Sequence, residues 1–160
     1  MYQVGDKIVH PMHGAGIVDE IVERTIDGQT ETYYALRLVL ERVVLYIPVR
    51  TSGALGVRPV CSAEAAQELL GRLPALEIEA DGNWNRRYRE NMDRLRSGDL
   101  LEVAGVVKGL TLRDRRRGLS TGEKKMLGLA KQILASELSL ALGRDPEEMK
   151  AEAVELLCPR

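Results

Sequence analysis

Two rhythms of apolar and polar residues divide this chain. Up to about residue 50 the apolar residues come in short runs, broken at near ten-residue intervals by turn chemistry. Ile8-Val9-His10 is closed by Pro11, and Ile17-Val18 and Ile21-Val22 follow Gly14-Ala15-Gly16. A longer β-rich run over 32–40 carries Tyr33, Tyr34, Leu36, Leu38, Val39 and Leu40; after Glu41-Arg42 the run Val43-Val44-Leu45-Tyr46-Ile47 returns and stops at Pro48. Asp27-Gly28 predicts a tight hairpin, because both residues tolerate the positive φ such a turn needs. These signals predict a small curved antiparallel sheet or barrel of about five strands. So few aromatics make a modest core, so the unit is expected to lean on a neighbour.

After Thr51-Ser52-Gly53 the rhythm changes, and 53–59 reads as connection. Ser62 reads as an N-cap, and Ala65, Ala66, Leu69, Leu70 and Leu73 make a helical stripe ended by Pro74. An acidic loop over 74–82 leads to a helix over 83–96, with Trp84, Tyr88, Met92 and Leu95 on one face and Arg86/Glu90 paired outside it. Ser97-Gly98-Asp99 ends that helix and caps the next, which runs through Arg113, Arg115, Arg116 and Arg117 until Gly118 stops it. Ser120-x-x-Glu123 has the spacing of a capping box and opens the longest helix, 121–142. Its apolar face is wide, as for a central bundle helix, and Gly128 on another face predicts a close backbone approach. Gly143 ends it, and Asp145-Pro146 caps a last helix. The expected architecture is α+β: a β domain over 1–52, then a compact helical domain of about five helices over 53–160.

Composition sharpens this picture in one respect. Apolar residues make up 44% and charged residues 29%, which suits a folded domain, and the net charge is only −1. That total hides an asymmetry. Residues 84–131 carry 13 Lys/Arg against 6 Asp/Glu, whereas 1–83 carry 7 against 12. A basic middle points to a polyanionic partner, although many basic helices are only solvated faces. Two cysteines far apart imply no disulfide framework, and the start of the chain has no apolar leader. The cytoplasm is the expected compartment, with no membrane span.

Chemistry-bearing motifs are sparse. His10-Pro-Met-His13 holds the only two histidines, which do not make a zinc site, and neither cysteine is near them in sequence. Gly14-Ala-Gly16 lacks the rest of a dinucleotide fingerprint, and no phosphate-binding GxxxxGK[ST] occurs. No metal, no cofactor and no catalytic activity is expected. The basic middle is the positive signal. Arg86, Arg87 and Arg89 crowd the start of one helix, beside the only Trp in a chain without Phe. Arginine forks pair with phosphate oxygens, and a flat aromatic beside them can lie on an unstacked base or wedge a base step. Large aromatics are more often core, so Trp84 is a contact only if its ring is exposed.

These residues carry a resemblance. Val4-Gly-Asp-Lys-Ile-Val-His-Pro-Met-His-Gly-Ala-Gly, Asn83-Trp-Asn-Arg-Arg-Tyr and Gly118-Leu-Ser-Thr-Gly-Glu-Lys-Lys-Met-Leu resemble, in order and spacing, the bacterial CarD/CdnL transcription regulators. The first stretch is shared with the polymerase-interacting module of transcription-repair coupling factors. The resemblance implies a Tudor-like β domain that docks on the RNA polymerase β subunit and a helical domain that contacts promoter DNA without reading its sequence. It implies that Trp84 props the upstream edge of the melted bubble, and that Arg86, Arg87, Lys124 and Lys125 face DNA. Arg24 matches a polymerase-contacting arginine, and Tyr46 stands where some members carry a second. A monomer that stabilises the open promoter complex is the resulting expectation. The alternative is a polymerase-bound adaptor whose helical domain recruits another protein.

Overall fold

The computed structural model describes residues 1–79 and 82–160; Asp81, in the acidic loop before Trp84, lies outside the described residues. Among the described residues, five strands form one antiparallel sheet: β1 (Lys7–His10), β2 (Gly14–Ile26), β3 (Gln29–Leu38), β4 (Val44–Pro48) and β5 (Arg58–Pro59). Their order is β4-β3-β2-β1-β5, which leaves β4 at one edge. The hairpin between β2 and β3 turns on Asp27 and Gly28, both at positive φ, with Ile26 opposite Gln29. Sequence pattern misses β5. It is two residues long, ends in a proline and reads as connection, yet it pairs with Ile8 and Val9. Ile8, Val18, Tyr34, Leu36, Leu38, Ile47 and Val57 form the core of the sheet.

Helices α1 (Ala63–Arg72), α2 (Trp84–Arg96), α3 (Leu100–Arg117), α4 (Thr121–Leu142) and α5 (Pro146–Leu157) follow, with a 3-10 turn at Leu73–Ala75. Each α-helix opens on a side-chain cap: Ser62, Asn83, Asp99, Ser120 and Asp145 accept hydrogen bonds from first-turn amides. Gly118 and Gly143 close α3 and α4 at positive φ. Around α4 a second core gathers Leu69, Leu73, Leu95, Val107, Leu110 and Met149.

The sheet does lean on a neighbour, and the neighbour is α4. Ala15 N–H donates to Ser136 Oγ at 2.8 Å, and Gln132 donates to the His13 carbonyl at 2.9 Å. Arg58 forks onto the Glu137 carboxylate with both contacts at 2.7 Å, and Cys61 N–H donates to the same carboxylate at 2.9 Å. Glu137 is completely enclosed, so its charge is matched inside the joint itself. The close approach expected at Gly128 is not there: a Cβ at that position would meet open space. It occurs at Gly14 instead, which has φ +97° and where a Cβ would stand 2.7 Å from Ser136 Oγ. At Gly16 a Cβ would press to 2.5 Å on the Arg37 carbonyl. Of the two glycines of the Gly-Ala-Gly motif, Gly14 lets α4 sit against the strand and Gly16 lets β3 close on β2.

Candidate nucleic-acid interface

Trp84 is the first residue of α2, directly after the Asn83 cap, whose side chain accepts the Arg86 N–H at 2.9 Å. Helical periodicity then sorts the side chains. Arg87, Asn91 and Leu95 face inward, while Trp84, Arg86 and Arg89 remain outside. Trp84 is 44% exposed, so it is not enclosed in the helical core. It is nevertheless held. One face lies against Tyr88, with ring centroids 5.1 Å apart and planes 19° from parallel, and the indole N–H donates to Ser120 Oγ at 3.4 Å. Tyr88 itself packs on the helical core, and Gly122 of α4 lies beside its ring.

Ser120 is the N-cap of α4 and accepts the Glu123 N–H at 3.2 Å. The expected box is modified. The Glu123 carboxylate accepts from the Ser120 hydroxyl at 3.3 Å and from Arg87 Nε at 2.8 Å. Arg87 also donates to the Gly82 carbonyl at 3.2 Å. Burial pushes the Glu123 carboxyl up, but Arg87, then Arg113 and the Ser120 hydroxyl, outweigh it and hold it below the usual carboxylate range. A polar chain thus joins Trp84, Ser120, Glu123 and Arg87, and locks the start of α2 to the start of α4.

The residues expected to face DNA therefore separate. Trp84, Arg86, Lys124 and Lys125 are exposed around the two helix starts. Arg86 sits in an ion pair with Glu90 at 2.8 Å. Arg87 differs: its side chain is only 8% exposed and its charge is matched by Glu123, so it braces the surface rather than presenting a cation on it. Sequence reasoning did not assign Ser120, Glu123 and Tyr88 to this surface, although the Ser-x-x-Glu spacing marked two of them. Beside Trp84 a groove of about 860 Å³ opens between α2 and α3. Ile78, Gly109 and Leu112 form apolar parts of its wall, and Arg113, Arg115, Arg116 and Arg117 line it at the end of α3.

On the sheet, Arg24 of β2 lays its guanidinium over the Tyr46 ring, 4.7 Å from the centroid. The sheet brings these two expected polymerase contacts together on the β4 side, where Val43, Val44 and Tyr46 are exposed. His10 and His13 stack edge to face at 4.7 Å, and His10 Nδ1 accepts the Met12 N–H. Among the described residues no three His, Cys, Asp or Glu side chains cluster to hold a metal ion, and no helix is long and apolar enough to cross a membrane.

Comparison with known proteins fits this arrangement. Residues 2–61 match the family described as CarD-like/TRCF RID domain, and residues 68–154 match CarD, C-terminal domain. The chain belongs to the CarD-like family. A relative of Bacillus subtilis (strain 168), called "Putative transcription factor YdeB", is 32% identical over 151 residues, spanning 94% of this chain and 99% of that protein. CarD-like proteins are transcription regulators. The two matched regions meet in this chain at the joint between β2, β5 and α4.

Proposed function

We propose that this chain docks on the RNA polymerase β subunit through its sheet and stabilises the open promoter complex through its helical domain. The observation that carries this reading is Trp84: a large aromatic, half exposed, fixed by Tyr88 and Ser120, and set among Arg86, Lys124 and Lys125. A ring already ordered loses little entropy when it stacks on a base at the upstream edge of the bubble. Arginine and lysine contacts to phosphate carry no sequence information, so the protein acts on the melted state rather than on a motif.

The sheet supports the docking half. Its β4 edge is open and carries exposed Val44 and Tyr46, with Arg24 on the ring. An open edge with apolar and cationic side chains suits strand addition by a partner. Once polymerase holds the sheet, weak DNA contacts suffice, because the local concentration is high. The chain acts as a monomer, since each half has a different partner.

Trp84→Ala tests the reading. Polymerase binding is expected to persist, while the open-complex lifetime shortens by the equivalent of about 1–3 kcal/mol, the worth of one stacked base. An unchanged lifetime removes the wedge. An adaptor that recruits another protein through α2–α4 would instead show stabilisation insensitive to salt, whereas phosphate contacts weaken as salt rises.

A further inference from the structure

A second cleft, of about 700 Å³, opens where the sheet meets the end of α4. One wall is a row across four strands. Lys7 pairs with Ile17, Ile17 with Arg37, and Arg37 with Val44. Directly paired residues share a face of the sheet, so the row alternates cation, aliphatic, cation, aliphatic. The opposite wall is the last turn of α4 and the turn after it, with Leu140, Arg144 and Pro146. Arg42, in the turn between β3 and β4, borders the cleft as a fourth cation. None of the described residues that line it is acidic or aromatic.

The helix end does not explain these charges. Its last carbonyls carry partial negative charge, and Lys7 already meets them, with Nζ 3.5 Å from the Leu140 carbonyl oxygen. Arg37 and Arg42 come from the sheet side. Arg37 holds Asp19 at 3.1 Å in an exposed pair, which gives way to a ligand at little cost. Arg42 has no carboxylate in ion-pair reach among the described residues. Cations at the rim, with half-buried Ile17 and Leu140 between them, call for an anionic head on an aliphatic body. A nucleotide would need a ring to stack on, which this cleft lacks. The volume lies in the range of small-molecule sites. We propose that this cleft binds a small aliphatic carboxylate, its head met by Arg37 and Arg42 and its chain lying across Ile17 towards Leu140. The proposal does not rest on the promoter reading. Such a ligand touches both the sheet and α4, so it braces the joint that Ser136 and Glu137 make, and it stabilises the folded chain as its concentration rises.

The test titrates octanoate into the isotope-labelled full chain and follows backbone amides by NMR. Saturable shifts with one common Kd are expected at Lys7, Ile17, Arg37 and Val44 on the sheet and at Leu140 and Arg144 on the helix side. Octanol, with the same chain and no charge, should bind at least about tenfold more weakly, and Arg37→Gln/Arg42→Gln should weaken octanoate by about the same factor. Ile17→Glu places a carboxylate between Lys7 and Arg37 and should abolish binding. Unsaturated shifts that spread over exposed side chains such as Trp84 and Tyr46 overturn the site. Equal affinity for octanol overturns the anionic head, and binding of hexaglutamate at these amides with octanoate silent overturns the aliphatic body. Should Ile17→Glu lose the dispersed spectrum of the folded chain, the arginine pair decides.

Discussion

Arg87 Nε donates to Glu123 Oε2 at 2.8 Å, and both side chains are buried, whereas Arg86, one residue earlier, is mostly exposed. Adjacent arginines on one helix turn therefore do different work. Arg87→Ala leaves a buried carboxylate without its main partner and should cost about 3–5 kcal/mol of stability. Arg86→Ala should change stability by less than about 0.5 kcal/mol while weakening promoter contacts. Urea unfolding of the two variants, set beside their salt-dependent promoter binding, checks the division.

The same pair sets an acid limit. Glu123 is held below the usual carboxylate range in the folded chain, so the unfolded chain binds more protons as pH falls through that window. Its contribution is fully present above the ordinary carboxylate pKa and is lost as pH drops through the lower folded value. Unfolding free energy measured from pH 7 towards pH 3 should fall less steeply for Glu123→Gln than for the parent. Equal slopes would show that Glu123 is not the group responsible.

Ser120 serves both a helix and a ring, as N-cap of α4 and acceptor for the indole N–H. Ser120→Ala should cost about 0.5–2 kcal/mol through the lost cap. It should also loosen Trp84, and because the chain has a single Trp, intrinsic fluorescence reports that loosening without ambiguity. Increased collisional quenching with native secondary structure retained is the expected result.

Cys61 probes the joint between sheet and helices. Burial, then the charge and hydrogen bonding of Glu137, push its thiol up to about 11, with Arg58 opposing. Glu137→Gln removes the two Glu137 contributions, so the midpoint of the pH–rate profile for alkylation at Cys61 should move to lower pH. A rate that rises equally at every pH would mean the joint has opened instead.

Most of the helical half was legible because its signals are local. Ser62, Asp99, Ser120, Gly118 and Gly143 each mark a helix end through their own side chain or their lack of one. The exposure of Trp84 was not legible, since its spacing to Tyr88 and Met92 suits a buried stripe equally well. It is exposed because it is the first residue of α2 and stands ahead of the first inward residue, Arg87, where the helix end projects past its packing partners. Arg87 was read as a surface cation because its partner lies 36 residues away, on another helix. β5 and the fork of Arg58 on Glu137 escaped for the same reason: pairing between distant segments leaves no periodic trace.

α4 begins at the seat of Trp84 and carries the sheet on Ser136 and Glu137, so roughly 24 Å of continuous helix separates the two attachments. That length corresponds to about seven nucleotide steps of duplex DNA. On the proposed reading, the helix acts as a gauge block between the sheet that docks on polymerase and the melted edge. A promoter whose bubble opens one step nearer or farther presents its fork where the ring is not. Discrimination among promoters then depends on distance, with no base read at all.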